Sequence, residues 1–79
     1  MTGLPILDMS LVNVIKQLME NVKNDIDPHK SMDDIADLVE DNKLSRKDEY
    51  KPLLRSVCEL LREKGYPSTS DFLIKQWRL

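Results

Sequence analysis

The chain of 79 residues has one cysteine, one histidine, one tryptophan, one phenylalanine and two glycines. Each scarcity closes off a class of protein. Cys58 alone cannot form an internal disulfide, and no stretch reads as a secretory signal, which together point to a reducing compartment, cytoplasmic or nuclear. No apolar run approaches the roughly 20 residues that a membrane-spanning helix needs, so a soluble protein without membrane contact is expected. Gly3 and Gly65 stand far apart and leave no Gly-rich loop to cradle a phosphate.

The ionisable residues add no chemistry to this. His29 follows Pro28 in a polar connection, with no evident partner or pocket for general-base work, and is expected as a surface loop residue. Asp25-Ile-Asp27-Pro28-His29 opens like a calcium loop, but Lys30 replaces its turn glycine and Ala36 its final bidentate glutamate. Asp25, Asp27, His29 and Asp33 then have only a loose metal site to offer, and no metal is expected. Cys58 falls on an apolar stripe, where a buried, inert thiol is expected. The expectation is therefore a protein with no catalytic residue, no cofactor and no small-molecule substrate. A domain this short has a thin core. With disulfide and metal set aside, association with another chain is the remaining way to add stability.

What the chain does have is helical periodicity. Leu11, Val14, Ile15, Leu18, Val22 and Ile26 form one stripe, started by Asp8 or Ser10 and ended by Asp27-Pro28. A second stripe holds Met32, Ile35, Leu38 and Val39 and closes near Asn42. The third holds Tyr50, Leu53, Leu54, Val57, Cys58, Leu60 and Leu61, stopped by Gly65 as a left-handed cap. The fourth holds Phe72, Leu73, Ile74 and Trp77. Ser31, Ser45 and Ser68, each followed three residues on by an aspartate, read as N-caps. Pro52 would break a helix running from Ser45, so residues 45–50 are expected as a separate turn with the main helix starting near Pro52. These elements predict a single all-α domain, a small bundle of four or five short helices.

Charge is uneven along the chain. Residues 31–42 carry a net charge of −5, residues 43–79 carry +4, and the whole chain carries −2. This is not the footprint of a nucleic-acid binder. Asp33, Asp34, Asp37, Glu40 and Asp41 lie off the second stripe, as a solvated face or as an acidic docking face for a basic partner, including the basic final third of a second copy.

The segment after Leu54 is the most specific feature. Leu54, Val57, Leu60 and Leu61 precede Gly65-Tyr66, then Thr69-Ser70 and Leu73. Over residues 54–77 this spacing resembles the LisH motif, a helical hairpin of many eukaryotic scaffolding and regulatory proteins. Leu61, Gly65, Tyr66, Thr69 and Ser70 match its positions. Leu73 stands where the motif has Phe, with Phe72 one residue early, Leu60 replaces a frequent Tyr, and Gln76 replaces an acid. The resemblance implies dimerisation, since LisH hairpins associate as four-helix dimers.

The expected function is a non-enzymatic protein–protein interaction module of regulatory type. It is expected to dimerise through Leu61, Tyr66, Phe72, Leu73, Ile74 and Trp77, unless Trp77 folds back to complete the chain's own core. Two alternatives are a helix-turn-helix binder presenting Ser68, Thr69, Ser70, Lys75, Gln76 and Arg78 to DNA, and a small inhibitor, immunity or accessory protein, viral or bacterial, whose acidic second helix docks a basic partner. The chain has no basic arm to supply nonspecific affinity for DNA.

Overall fold

Pro28, Pro52 and Pro67 each stand within the first two residues of a helix. A proline there loses no hydrogen bond, because first-turn N–H groups have no partner within the helix, and its fixed φ suits the first turn. The computed structural model describes residues 8–79, and Gly3 lies outside the described residues. Four helices, α1 (Met9–Lys23), α2 (Pro28–Asp41), α3 (Lys51–Glu63) and α4 (Pro67–Trp77), build an all-α fold. Two 3₁₀ turns, Leu44–Arg46 and Asp48–Tyr50, join α2 to α3, so the chain breaks ahead of Pro52 as expected. There is no strand among the described residues, and none of their helices is long and apolar enough to cross a membrane.

The helix starts differ from the expectation. Ser31 is a buried residue inside α2, Ser45 lies within the first 3₁₀ turn, and Ser68 is already the second residue of α4. Proline opens α2 and α4 in place of serine, and the neighbouring aspartates bond elsewhere. Asp34 pairs with Lys30 at 3.0 Å, and Asp71 pairs with Arg62 of α3. Only α1 starts on an acceptor side chain: Asp8 Oδ1 accepts the N–H groups of Ser10 (3.0 Å) and Leu11 (3.3 Å). His29, expected in a loop, occupies the first turn of α2.

Left-handed residues end the helices. Gly65 has φ +92°, and the Tyr66 N–H donates back to the Leu61 carbonyl at 2.8 Å. Asp25 (φ +59°) does the same for α1, with the Ile26 N–H on the Asn21 carbonyl at 2.8 Å. α1 therefore stops at Lys23, well short of Pro28, and leaves Ile26 outside the helix and 53% exposed. Val14, also expected on the buried stripe, is exposed as well. Asn42 closes α2 as expected, its Nδ2 donating to the Leu38 carbonyl at 2.8 Å, and Lys43 follows at φ +53°.

α1 packs on α2 as one hairpin and α3 on α4 as another, with α1 also meeting α3. One core runs through both, from Val12, Ile15 and Val22 through Ile35 and Val39 to Leu54, Val57, Leu61, Leu73 and Trp77. Leu44 and Tyr50 from the 3₁₀ turns complete it. Polar bonds fix the elements in register. The Asp8 N–H donates to Tyr50 Oη at 2.8 Å, Ser70 Oγ donates to the Cys58 carbonyl at 2.8 Å, and Lys64 pairs with Asp25 at 3.2 Å.

Candidate functional site

The first turn of α2 meets the residue that precedes α4. The His29 and Tyr66 rings meet edge to face, with centroids 5.5 Å apart and planes at 75°. At the other end, Val39 and Glu40 line the same cleft as Gln76, Trp77 and Arg78. The two helices do not pack on each other along their lengths. Asp33, Asp37 and Glu40 of α2 and Phe72 and Lys75 of α4 are all exposed.

The six apolar residues expected at an interface divide between core and surface. Leu61, Leu73 and Trp77 are buried in the chain's own core, with Trp77 only 3% exposed, and are not available at the surface of this fold. Tyr66 is half-buried against His29, and Ile74 is half-buried between α3 and α4. Phe72 alone faces out, 63% exposed. The reason is angular: Leu73 and Trp77, four residues apart, share one side of α4 with Ser70, while Phe72 is turned about 100° from Leu73 and further from the other two. Of the residues expected to face DNA, Ser70 is fully buried, whereas Ser68, Lys75, Gln76 and Arg78 are exposed.

All five acids of α2 lie at or near the surface. Asp34 is bound to Lys30, and Asp33, Asp37, Glu40 and Asp41 form no ion pair among the described residues. Lys75 is likewise in no ion pair among them. No group of three or more His, Cys, Asp or Glu side chains that could hold a metal ion occurs among the described residues.

The cleft at the far end of α2 and α4 has a volume of about 650 Å³ and was not legible in the sequence. Lys43, Arg46 and Arg78 stand around it with Glu40 and Asp48, over a floor of Val39 and Trp77. Two helix C-termini converge there, and their free carbonyls concentrate negative potential. The cations offset that potential. Lys51 acts the same way, donating Nζ to the carbonyls of Trp77 (3.2 Å) and Arg78 (3.4 Å). The cleft joins residues more than 30 positions apart, so no local pattern announces it.

Cys58, Ile74 and Leu79 lie along a second, shallower groove of about 210 Å³ between α3 and α4. The sulfur belongs to a buried residue, and burial pushes the Cys58 thiol up to about 11, opposed in part by the Arg62 guanidinium. A thiol held protonated is a poor nucleophile.

No protein-family model, curated protein or solved structure matches this chain.

Proposed function

We propose that this chain is a non-enzymatic protein–protein interaction module that self-associates as a homodimer, working in a reducing compartment without a cofactor. The exposure of Phe72 carries the proposal. Tyr50, Tyr66 and Trp77 are drawn inward, fully or in part, while Phe72 stands out on the final helix. Large aromatic groups at a surface are typical anchors of protein contacts. The division of charge supports a second copy as the partner, because the acidic α2 and the basic last third offer complementary surfaces within one sequence. Leu61 and Leu73 of the segment that resembles LisH are buried inside the fold, so the proposal rests on Phe72 and not on them.

Light scattering on the eluting peak of purified protein tests the proposal. A mass twice that of the chain at high micromolar concentration is expected, and a strict monomer there would sink it. A second reading, a regulator that docks a basic partner through α2, draws on the four carboxylates of that helix left without ion pairs among the described residues. For that reading, neutralising Asp33 and Asp37 together should release a captured partner while the protein stays folded.

A further inference from the structure

We propose that the cleft at the C-terminal ends of α2 and α4 binds a small phosphorylated ligand that also carries hydroxyl groups, of the sugar-phosphate class. Lys43 and Arg46 from the connection after α2, and Arg78 from the end of α4, stand around it, all three exposed. The lysines and arginines whose side chains are bonded among the described residues are Lys30, Lys51, Arg62 and Lys64. The three cations of the cleft are not among them. The helix ends are supplied by other donors. On α4 the carbonyls of Ile74, Lys75, Trp77 and Arg78 accept from the N–H groups of Leu79 and Arg78 and from Lys51 Nζ. On α2 the carbonyls of Leu38 and Glu40 accept from the N–H groups of Asn42 and Lys43. Lys43, Arg46 and Arg78 therefore act on the helix ends only through their charge and keep their donors for a ligand. Backbone conformation adds a second observation. Lys43 and Arg78 hold left-handed positions, φ +53° and +56°, just past α2 and α4, where glycine is the usual residue. A side chain there costs stability that glycine would not. Both strained positions carry a cation, and both line the same cleft.

The other lining residues select the ligand. Only Val39 and Trp77 are apolar, and both are buried beneath the cleft. An aromatic anchor or an apolar helix has little to hold there, whereas a hydrophilic ligand does. The volume of about 650 Å³ suits a small molecule, since such sites span about 300–1,000 Å³. The guanidinium groups of Arg46 and Arg78 match phosphate oxygens with paired N–H donors, and the Lys43 ammonium adds a point charge. Glu40 and Asp48 line the same cleft and pair with none of these cations among the described residues. A carboxylate accepts hydrogen bonds and donates none. These two therefore oppose a ligand made of anionic groups alone and accept from hydroxyl groups, which a sugar phosphate supplies. The site is separate from the self-association proposed above and stands or falls without it.

Calorimetric titration at low salt tests it, with ribose 5-phosphate, inorganic phosphate, ribose and a hexaglutamate peptide as probes. Ribose 5-phosphate should saturate below about 1 mM, with inorganic phosphate about tenfold weaker and ribose silent. Lys43→Gly removes a cation and relaxes the backbone together. It should weaken ribose 5-phosphate about tenfold without lowering the unfolding temperature, which separates binding from folding. Arg46→Gln should weaken binding at least as much. The double variant Glu40→Ala/Asp48→Ala should narrow the preference for ribose 5-phosphate over phosphate. Lys16→Gln, exposed on α1 and outside the cleft, should change nothing. Absence of saturation by ribose 5-phosphate overturns the site. So does binding that Lys43→Gly and Arg46→Gln leave intact, or that Lys16→Gln weakens equally. Phosphate bound as tightly as ribose 5-phosphate, hexaglutamate bound more tightly, or a preference untouched by the double variant overturns the ligand class.

Discussion

The hydroxyl of Ser70 in α4 donates to the main-chain carbonyl of Cys58 in α3 across 2.8 Å, with Ser70 fully buried. This bond joins the two helices at the point where a small side chain lets them approach. Ser70→Ala removes it while keeping the close contact, and should cost about 1 kcal/mol. Ser70→Leu forces the helices apart and should cost more, about 1–3 kcal/mol or above. Urea midpoints at constant slope measure both.

Trp77 and Phe72 share a helix but differ in role, and the two alanine variants separate stability from association. Trp77→Ala empties the floor of the core and should cost about 3–5 kcal/mol. That is a large share of the roughly 5–15 kcal/mol that holds a domain folded. Phe72→Ala should change stability by no more than about 0.5 kcal/mol, because its ring is exposed. The same variant should weaken the dimer in light scattering. Urea unfolding at a concentration where the wild type is monomeric gives the stability side.

Lys43 has φ +53°, a conformation that costs a side chain about 1–2 kcal/mol and glycine almost nothing. Lys43→Gly should raise stability by roughly 0.5–1 kcal/mol after the greater freedom of glycine in the unfolded chain is subtracted. Gly65 gives the opposite case. A Cβ added there meets nothing within 4 Å, yet φ is +92°. Gly65→Ala should therefore cost about 1 kcal/mol through the backbone alone. Thermal unfolding of the pair should move in opposite directions.

Burial raises the Cys58 thiol from 9.0 to about 11. The folded state holds its proton where the unfolded state has released it, so stability is intact below pH 9 and falls as pH rises toward 11. Cys58→Ala should remove that part of the decline. At about pH 8 the native protein should react slowly with a disulfide reagent and rapidly once urea unfolds it. Fast reaction of the native thiol would contradict the buried placement.

Local chemistry was legible along much of the chain. Asp8 caps α1, Asn42 closes α2, Gly65 turns the corner after α3, and the chain breaks ahead of Pro52, each as its residue type dictates. These depend on bonds within one turn, which a sequence displays directly. The starts of α2 and α4 depart from the serine pattern for a related reason. Serine and proline both favour a helix start, and Pro28 and Pro67 precede Ser31 and Ser68, so the earlier signal opened each helix. The end of α1 was hidden because Asp25 and not a glycine takes the left-handed turn.

An all-α bundle of four or five short helices, most of their apolar stripes, and the division of charge between an acidic α2 and a basic final third were therefore written in the sequence alone. Tertiary structure decided which large residues the chain keeps for itself. A stripe of Phe72, Leu73, Ile74 and Trp77 is wider than one neighbour covers, and only the position of α4 against α3 and the rest of the core turns Trp77 in and Phe72 out. The same long-range placement brings the C-terminal ends of α2 and α4 to one cleft, with Val39 and Trp77 in its lining. Neither outcome can be found in a local pattern, because both arise from the way two hairpins share a single core.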